Sequence, residues 1–317
     1  MRHRLEALLV RGLVAIVRAL PNRAALALGA RLGDLARVLG IRRQVARANL
    51  VLAFPDRAAA EREQILCAHY RELGMMLCEA ARGKASVYAR EGQVVAAVRG
   101  LEHLEAAKRS GRGAIVLTGH YGDYGLIAGW LGRLHPMEIF AQGLSNPWVD
   151  TLMDRTCAEG GVQLLTGRSG LRRLILGLRN NGWTLMLADQ DAGSGGLFVP
   201  FMGRLSSTSV FPAELSLRTG APILMAFMTR RADGRNEIDV LPPLTLAAAA
   251  SDAVAELTAR HAAELERWVR RHPHMWFWLH RRWKTPPPAV GQEGGARSPE
   301  AGARQPGDPV ASIARGA

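Results

Sequence analysis

The chain has 317 residues, 48% of them hydrophobic, and a formal net charge of +13. That is enough length and apolar material for one large domain or two small ones. The three cysteines, Cys67, Cys78 and Cys157, contain no CxxC pair; their number and spacing exclude a zinc framework and a disulfide scaffold, and fit buried thiols in a reducing, cytoplasm-facing setting. The charge is patchy: residues 1–50 hold ten arginines against Glu6 and Asp34, and Arg267 to Lys284 holds six basic residues and no acid. Such patches suit anionic lipid, an acidic protein or nucleic acid.

At the N-terminus, Arg4, Arg11 and Arg18 recur every seven residues, opposite Leu5, Leu8, Leu9, Leu13, Ile16 and Val17. No uninterrupted apolar run reaches the ~20 residues of a spanning helix, and Arg11 inside the apolar stretch argues against a signal peptide. Residues 1–20 therefore read as an interfacial membrane helix, with an ordinary amphipathic helix packed on the domain as the other reading. Helical patterns follow over Arg23 to Leu39, Arg42 to Val51, residues 58–82 and Leu101 to Ser110.

Ala114 to Leu117 is a continuous apolar run, a strand buried on both faces. Gly119 breaks it, His120 comes next, and Leu126, Ile127, Trp130 and Leu131 open a helical face. A reactive side chain between a buried strand and a helix stands where open α/β sheets bind ligands. Alternating units continue: strand Glu138 to Ala141, helix Pro147 to Gly160, strand Val162 to Leu165, helix Leu171 to Leu178, and strand Trp183 to Ala188 ending in Asp189-Gln190-Asp191. Past the glycine-rich loop Ala192 to Gly196 come a helix over Thr208 to Arg218, strands at Pro222 to Met228 and Glu237 to Val240, a helix over Asp252 to Arg271, and the aromatic segment Trp276 to Trp283. The pattern predicts an α/β fold, a mainly parallel central sheet covered by helices on both faces, with N-terminal membrane-associated helices. After Lys284, Thr285 to Ala317 is rich in Pro, Gly and Ala and reads as a disordered tail. The organisation is then 1–20 interfacial helix, 21–284 α/β domain and 285–317 tail. No Walker A loop, GxSxG elbow or GxGxxG turn is present.

Five blocks occur in an order that resembles the bacterial lipid A lauroyl/myristoyl acyltransferases, within a lysophospholipid acyltransferase-like superfamily. They are Asn49-Leu50 with Phe54-Pro55, Leu117-Thr-Gly-His120-Tyr-Gly, Asp189-Gln190 with Phe198 to Gly203 and Thr208, Leu217 to Pro222, and Trp278 to Lys284. The resemblance covers residues 5–284. It implies transfer of a fatty acyl group from a thioester, on acyl carrier protein or coenzyme A, to a hydroxyl of a lipid A precursor or related glycolipid or lysolipid. The expected place is the cytoplasmic face of the cell inner membrane; no metal, no cofactor and no nucleic acid are expected. It also implies His120 as general base, oriented by a carboxylate, and Arg168, Asp189 and Gln190 as substrate-site residues.

One position departs from the pattern: the family's acid, five residues after the histidine, is Gly125 here, and Asp123 stands nearby instead. Asp123 either joins His120 as the catalytic pair or N-caps the helix that follows. Asp189, Asp191 or Glu214 are the other sources of an acid, or none is present. In that last case the chain is a catalytically impaired member that binds lipid or serves as a scaffold. A basic nucleic-acid binder is the third class; it lacks any recognised motif.

Overall fold

The computed structural model describes residues 12, 14–82, 94–141, 157–158, 161–247 and 250–288. Three helices come first, α1 (Asn22–Val38), α2 (Arg43–Ala53) and α3 (Ala59–Arg82). Then follow β1 (Val95–Arg99), α4 (Leu101–Ser110), β2 (Ala114–Thr118), α5 (Tyr124–Leu131), β3 (Met137–Phe140), β4 (Val162–Leu165), α6 (Gly167–Arg179) and β5 (Trp183–Leu187). A hairpin, β6 (Leu197–Phe201) and β7 (Arg204–Thr208), precedes α7 (Phe211–Thr219), β8 (Ile223–Arg230), β9 (Asn236–Pro243) and α8 (Ala253–Arg271).

The seven-stranded sheet runs β1-β9-β8-β2-β5-β3-β4. From β8 to β4 every pairing is parallel, and β9 turns antiparallel to β8. Along β2, Ile115 and Leu117 enter one core and Ala114 and Val116 the other. This period of two explains the unbroken apolar run: both faces of a central strand are covered, so no polar alternation is tolerated. The first core is built with residues of α2, α3, α6, α7 and α8, the second with residues of α4 and α5.

Two elements differ from the sequence expectation. Val95–Arg99 forms β1, a short edge strand beside β9; its alanine-rich run has no period strong enough to read locally. Thr208 ends β7 rather than opening a helix, because Met202 (φ 54°) and Gly203 (φ 75°) close a two-residue turn and fold the chain back on β6. The helix expected over Pro147 to Gly160 lies outside the described residues apart from 157–158.

Helices α1 and α3 cross so closely that a Cβ on Gly33 would stand 2.0 Å from the Tyr70 carbonyl oxygen, and one on Gly74 2.0 Å from that of Gly29. Only glycine fits these contacts. A buried ionic cluster then ties α3 to the sheet: Arg230 donates to Glu72 at 2.8 Å and to Glu79 at 2.6 Å, and Asn236 donates to Glu79 at 3.2 Å. Of the predicted interfacial helix, residues 1–11 and 13 lie outside the described residues. Within its last turn Val17 is buried beside Ala25 and Cys78, and Arg18 donates to the Ala81 carbonyl at 3.1 Å. That end rests on the domain.

Candidate active site

Strands β2 and β5 pair in parallel register from Ala114 opposite Trp183 to Thr118 opposite Leu187. Carried two residues further, the same register sets His120 against Asp189. There the imidazole Nδ1 lies 2.7 Å from Asp189 Oδ1, and the His120 backbone N–H donates to Oδ2 at 2.8 Å. The indole N–H of Trp276 donates to Oδ2, also at 2.8 Å. Gly119 makes room: a Cβ there would stand 3.0 Å from both Asp189 Oδ2 and Leu265 Cδ1.

The aromatic segment after α8 closes the site. Gly122 N–H donates to the Met275 carbonyl at 3.0 Å and Phe277 N–H to that of His120 at 2.9 Å. The Phe277 ring lies 6.1 Å from the imidazole, and the Tyr124 ring meets it edge-on at 5.8 Å. Trp276 and Trp278 are buried in the core, packed edge-to-face at 4.6 Å. Arg282 is buried too, donating to the carbonyls of Gln190 and Ser207 and to Thr208 Oγ1 at 2.5 Å. It fixes the backbone at which β5 hands over to its loop.

Burial alone would raise the Asp189 carboxyl, but the charge of His120 and the hydrogen bonds from His120 and Trp276 outweigh it and hold the group at about 2. Burial pulls the His120 imidazole down, and the charge and hydrogen bond of Asp189 overcome this, so its pKa stands above the ordinary 6.5. With Nδ1–H committed to Asp189, Nε2 carries the free lone pair. It faces the amide nitrogen of exposed Gln190 at 3.2 Å. The arrangement is a base whose tautomer is set by a buried carboxylate and whose reactive nitrogen opens toward solvent. Burial pushes the Tyr124 phenol up to about 12, which removes it from proton transfer near neutrality.

The sequence-predicted residues fall apart into two groups. His120, Asp189 and Gln190 converge. Asp123 is the N-cap of α5, which begins at Tyr124: its Oδ1 accepts the Leu126 N–H at 2.9 Å. This is the capping role that the sequence left open for Asp123, in which a carboxylate folds onto the third residue of its own helix. A Cβ on Gly125 would stand 3.0 Å from the same oxygen, so glycine leaves space for this cap. Arg168 is exposed on the first turn of α6, after β4, three strands from β2, or roughly 14 Å along the same rim. Asp191 serves its loop, accepting from Gly193 N–H at 3.1 Å and from the Thr285 hydroxyl at 2.9 Å. Glu214 sits in the first turn of α7. Sequence reasoning missed Trp276 as a donor to the carboxylate; an indole in an aromatic run signals packing, and nothing local says which polar group it meets. Among the described residues no group of three or more His, Cys, Asp or Glu is arranged to hold a metal ion.

The sequence profile for bacterial lipid A biosynthesis acyltransferases matches residues 1–285. The chain is similar to the lipid A biosynthesis palmitoleoyltransferase of Escherichia coli K12, 29% identical over 263 residues, 82% of this chain and 85% of the relative. It is 27% identical over 288 residues to the lipid A biosynthesis lauroyltransferase of the same organism, covering 88% and 91%. It is also 29% identical over 252 residues to the phosphatidylinositol mannoside acyltransferase of Mycobacterium tuberculosis H37Rv, covering 77% and 76%.

Proposed function

Because the chain belongs to the bacterial lipid A biosynthesis acyltransferase family, we propose that it moves a fatty acyl group from a thioester to a hydroxyl of a lipid A precursor or a related glycolipid or lysolipid, using His120 and Asp189 as its proton-handling pair. The donor is acyl carrier protein or coenzyme A, the former favoured by the basic patches. The protein works at the cytoplasmic face of the inner membrane, held there in part by residues 1–20. Relatives named for lipid A and for phosphatidylinositol mannoside support a glycolipid acceptor.

In this reading the acceptor hydroxyl takes the place of the Gln190 amide at His120 Nε2. Its proton passes to Nε2 as its oxygen attacks the thioester carbonyl carbon. Asp189 steadies the imidazolium that forms. The tetrahedral intermediate then expels the thiolate, which takes the proton back from Nε2, leaving an ester and a free thiol. The observation that carries the proposal is the 2.7 Å bond between His120 Nδ1 and Asp189 Oδ1. It also weighs against the non-catalytic alternative, which rested on a missing acid at Gly125. Purified protein supplied with acyl carrier protein and coenzyme A thioesters and a panel of lipid acceptors, with products read by mass spectrometry, is the test. The native protein should form an acylated lipid and His120→Ala should not; an active His120→Ala protein overturns the assignment, and an inactive native protein favours the scaffold.

A further inference from the structure

Of the twelve large apolar side chains exposed among the described residues, four fall within seven positions of one corner: Leu35, Val38, Leu39 and Ile41, between 51% and 68% exposed. The corner joins α1 to α2. It is not a frayed end. Gly40 (φ 76°) donates to the Arg37 carbonyl at 3.1 Å, and Ile41 N–H reaches back to that of Ala36 at 3.1 Å. This is the paired bonding of a Schellman cap. The hydroxyl of buried Tyr70 donates to the Ile41 carbonyl, and Arg42 takes the left-handed conformation to start α2. The backbone is pinned while the apolar side chains point out. In such a cap the residue after the glycine ordinarily packs on the helix; Ile41 is more than half exposed instead.

Exposed Arg31 and Arg42 flank the apolar group, and Asp34, the acid just before it, is engaged by Arg71 at 2.9 Å. We propose that this corner is a membrane-insertion wedge, its four apolar side chains passing below the head groups of an anionic bilayer and its arginines lying at the phosphates. An exposed apolar corner rimmed by cations suits that surface. A second copy of the chain suits it less, since a twofold contact would set the arginine rims against each other. The wedge deepens the peripheral-membrane reading above and rests on it. It also places the site: α2 carries Asn49, whose amide donates to the Trp278 carbonyl at 2.7 Å, beside the Phe277 that bonds His120.

The test uses the full chain with Cys67→Ser and Leu39→Cys, labelled with an environment-sensitive nitrobenzoxadiazole probe; Cys78 and Cys157 are buried. On vesicles of phosphatidylcholine with phosphatidylglycerol, the emission should rise, shift to the blue and be quenched by doxyl lipid. A Leu35→Ser/Val38→Ser/Leu39→Ser variant with a native melting curve should lose about tenfold or more in vesicle retention. Vesicle-bound protein with an unchanged probe, or native retention by the triple variant, overturns the wedge and leaves the membrane reading standing. So does a native dimer that the triple variant converts to monomer with retention intact. Absence of vesicle binding by the native chain overturns both.

Discussion

At His120, removal of the partner carboxylate should move two observables together. Asp189→Asn should lower turnover by about the 10²–10⁴-fold associated with general acid–base groups and their orienting partners. The base works neutral, so the native rate should climb as pH rises through a His120 pKa above 6.5. Asp189 holds that value up while burial pulls it down, so the rising limb of the Asp189→Asn profile should lie at lower pH; a limb that stays put removes Asp189 from the proton path. The signs for stability follow the same shifts. The raised His120 contributes fully below its unfolded value near 6.5, and the contribution is lost as pH rises through the folded pKa. The depressed Asp189 contributes above 3.8 and is lost as pH falls toward about 2. Asp123→Asn, in contrast, keeps a capping side chain and should retain turnover, while Asp123→Ala should cost about 1 kcal/mol in urea unfolding. A severe loss of activity in folded Asp123→Asn would place Asp123 in the mechanism.

At the scale of elements, the ionic cluster between α3 and β8 offers a stability test separate from the chemistry. Arg230 faces two buried carboxylates, and burial raises the Glu72 carboxyl against the opposing charge of Arg230. Arg230→Met removes the only cation seen bonded to them among the described residues and should cost about 3–5 kcal/mol, read as a lowered unfolding midpoint in urea; a loss under ~1 kcal/mol would mean the helix is held by its close glycine crossing alone. The central elements were legible because each satisfies a local rule: β2 is an apolar run between Gly113 and Gly119, β5 is a mostly apolar run that opens after Gly182 and stops at Asp189, and α8 starts on Asp252, whose Oδ1 accepts the Ala255 N–H at 2.9 Å. The edge strand β1 and the hairpin were not. Their structure depends on partners, β9 for the one and a turn with two positive φ angles for the other.

For the whole molecule, Thr285, the first residue of the expected tail, bonds Asp191 through both its hydroxyl and its N–H. Truncation after Pro288 should leave the melting temperature unchanged, whereas truncation after Lys284 should cost about 1 kcal/mol by loss of those bonds; equal melting curves would show that Asp191 does not need them. The sequence alone determined the α/β class, the place of His120 at a strand end, and the presence of acids at 123, 189, 191 and 214, because these follow from hydrophobic period, breakers and composition within a few residues. Which acid meets the imidazole was decided by tertiary structure. In chain order β5 is three strands after β2, but in the sheet it is the next neighbour, and only that adjacency sets Asp189, 69 positions away, against His120. The nearer Asp123 answers a local rule, capping the unsatisfied N–H groups of the helix it begins. A carboxylate three residues from a base is a weaker predictor of contact than strand register, because register fixes the backbone on both sides of the pair.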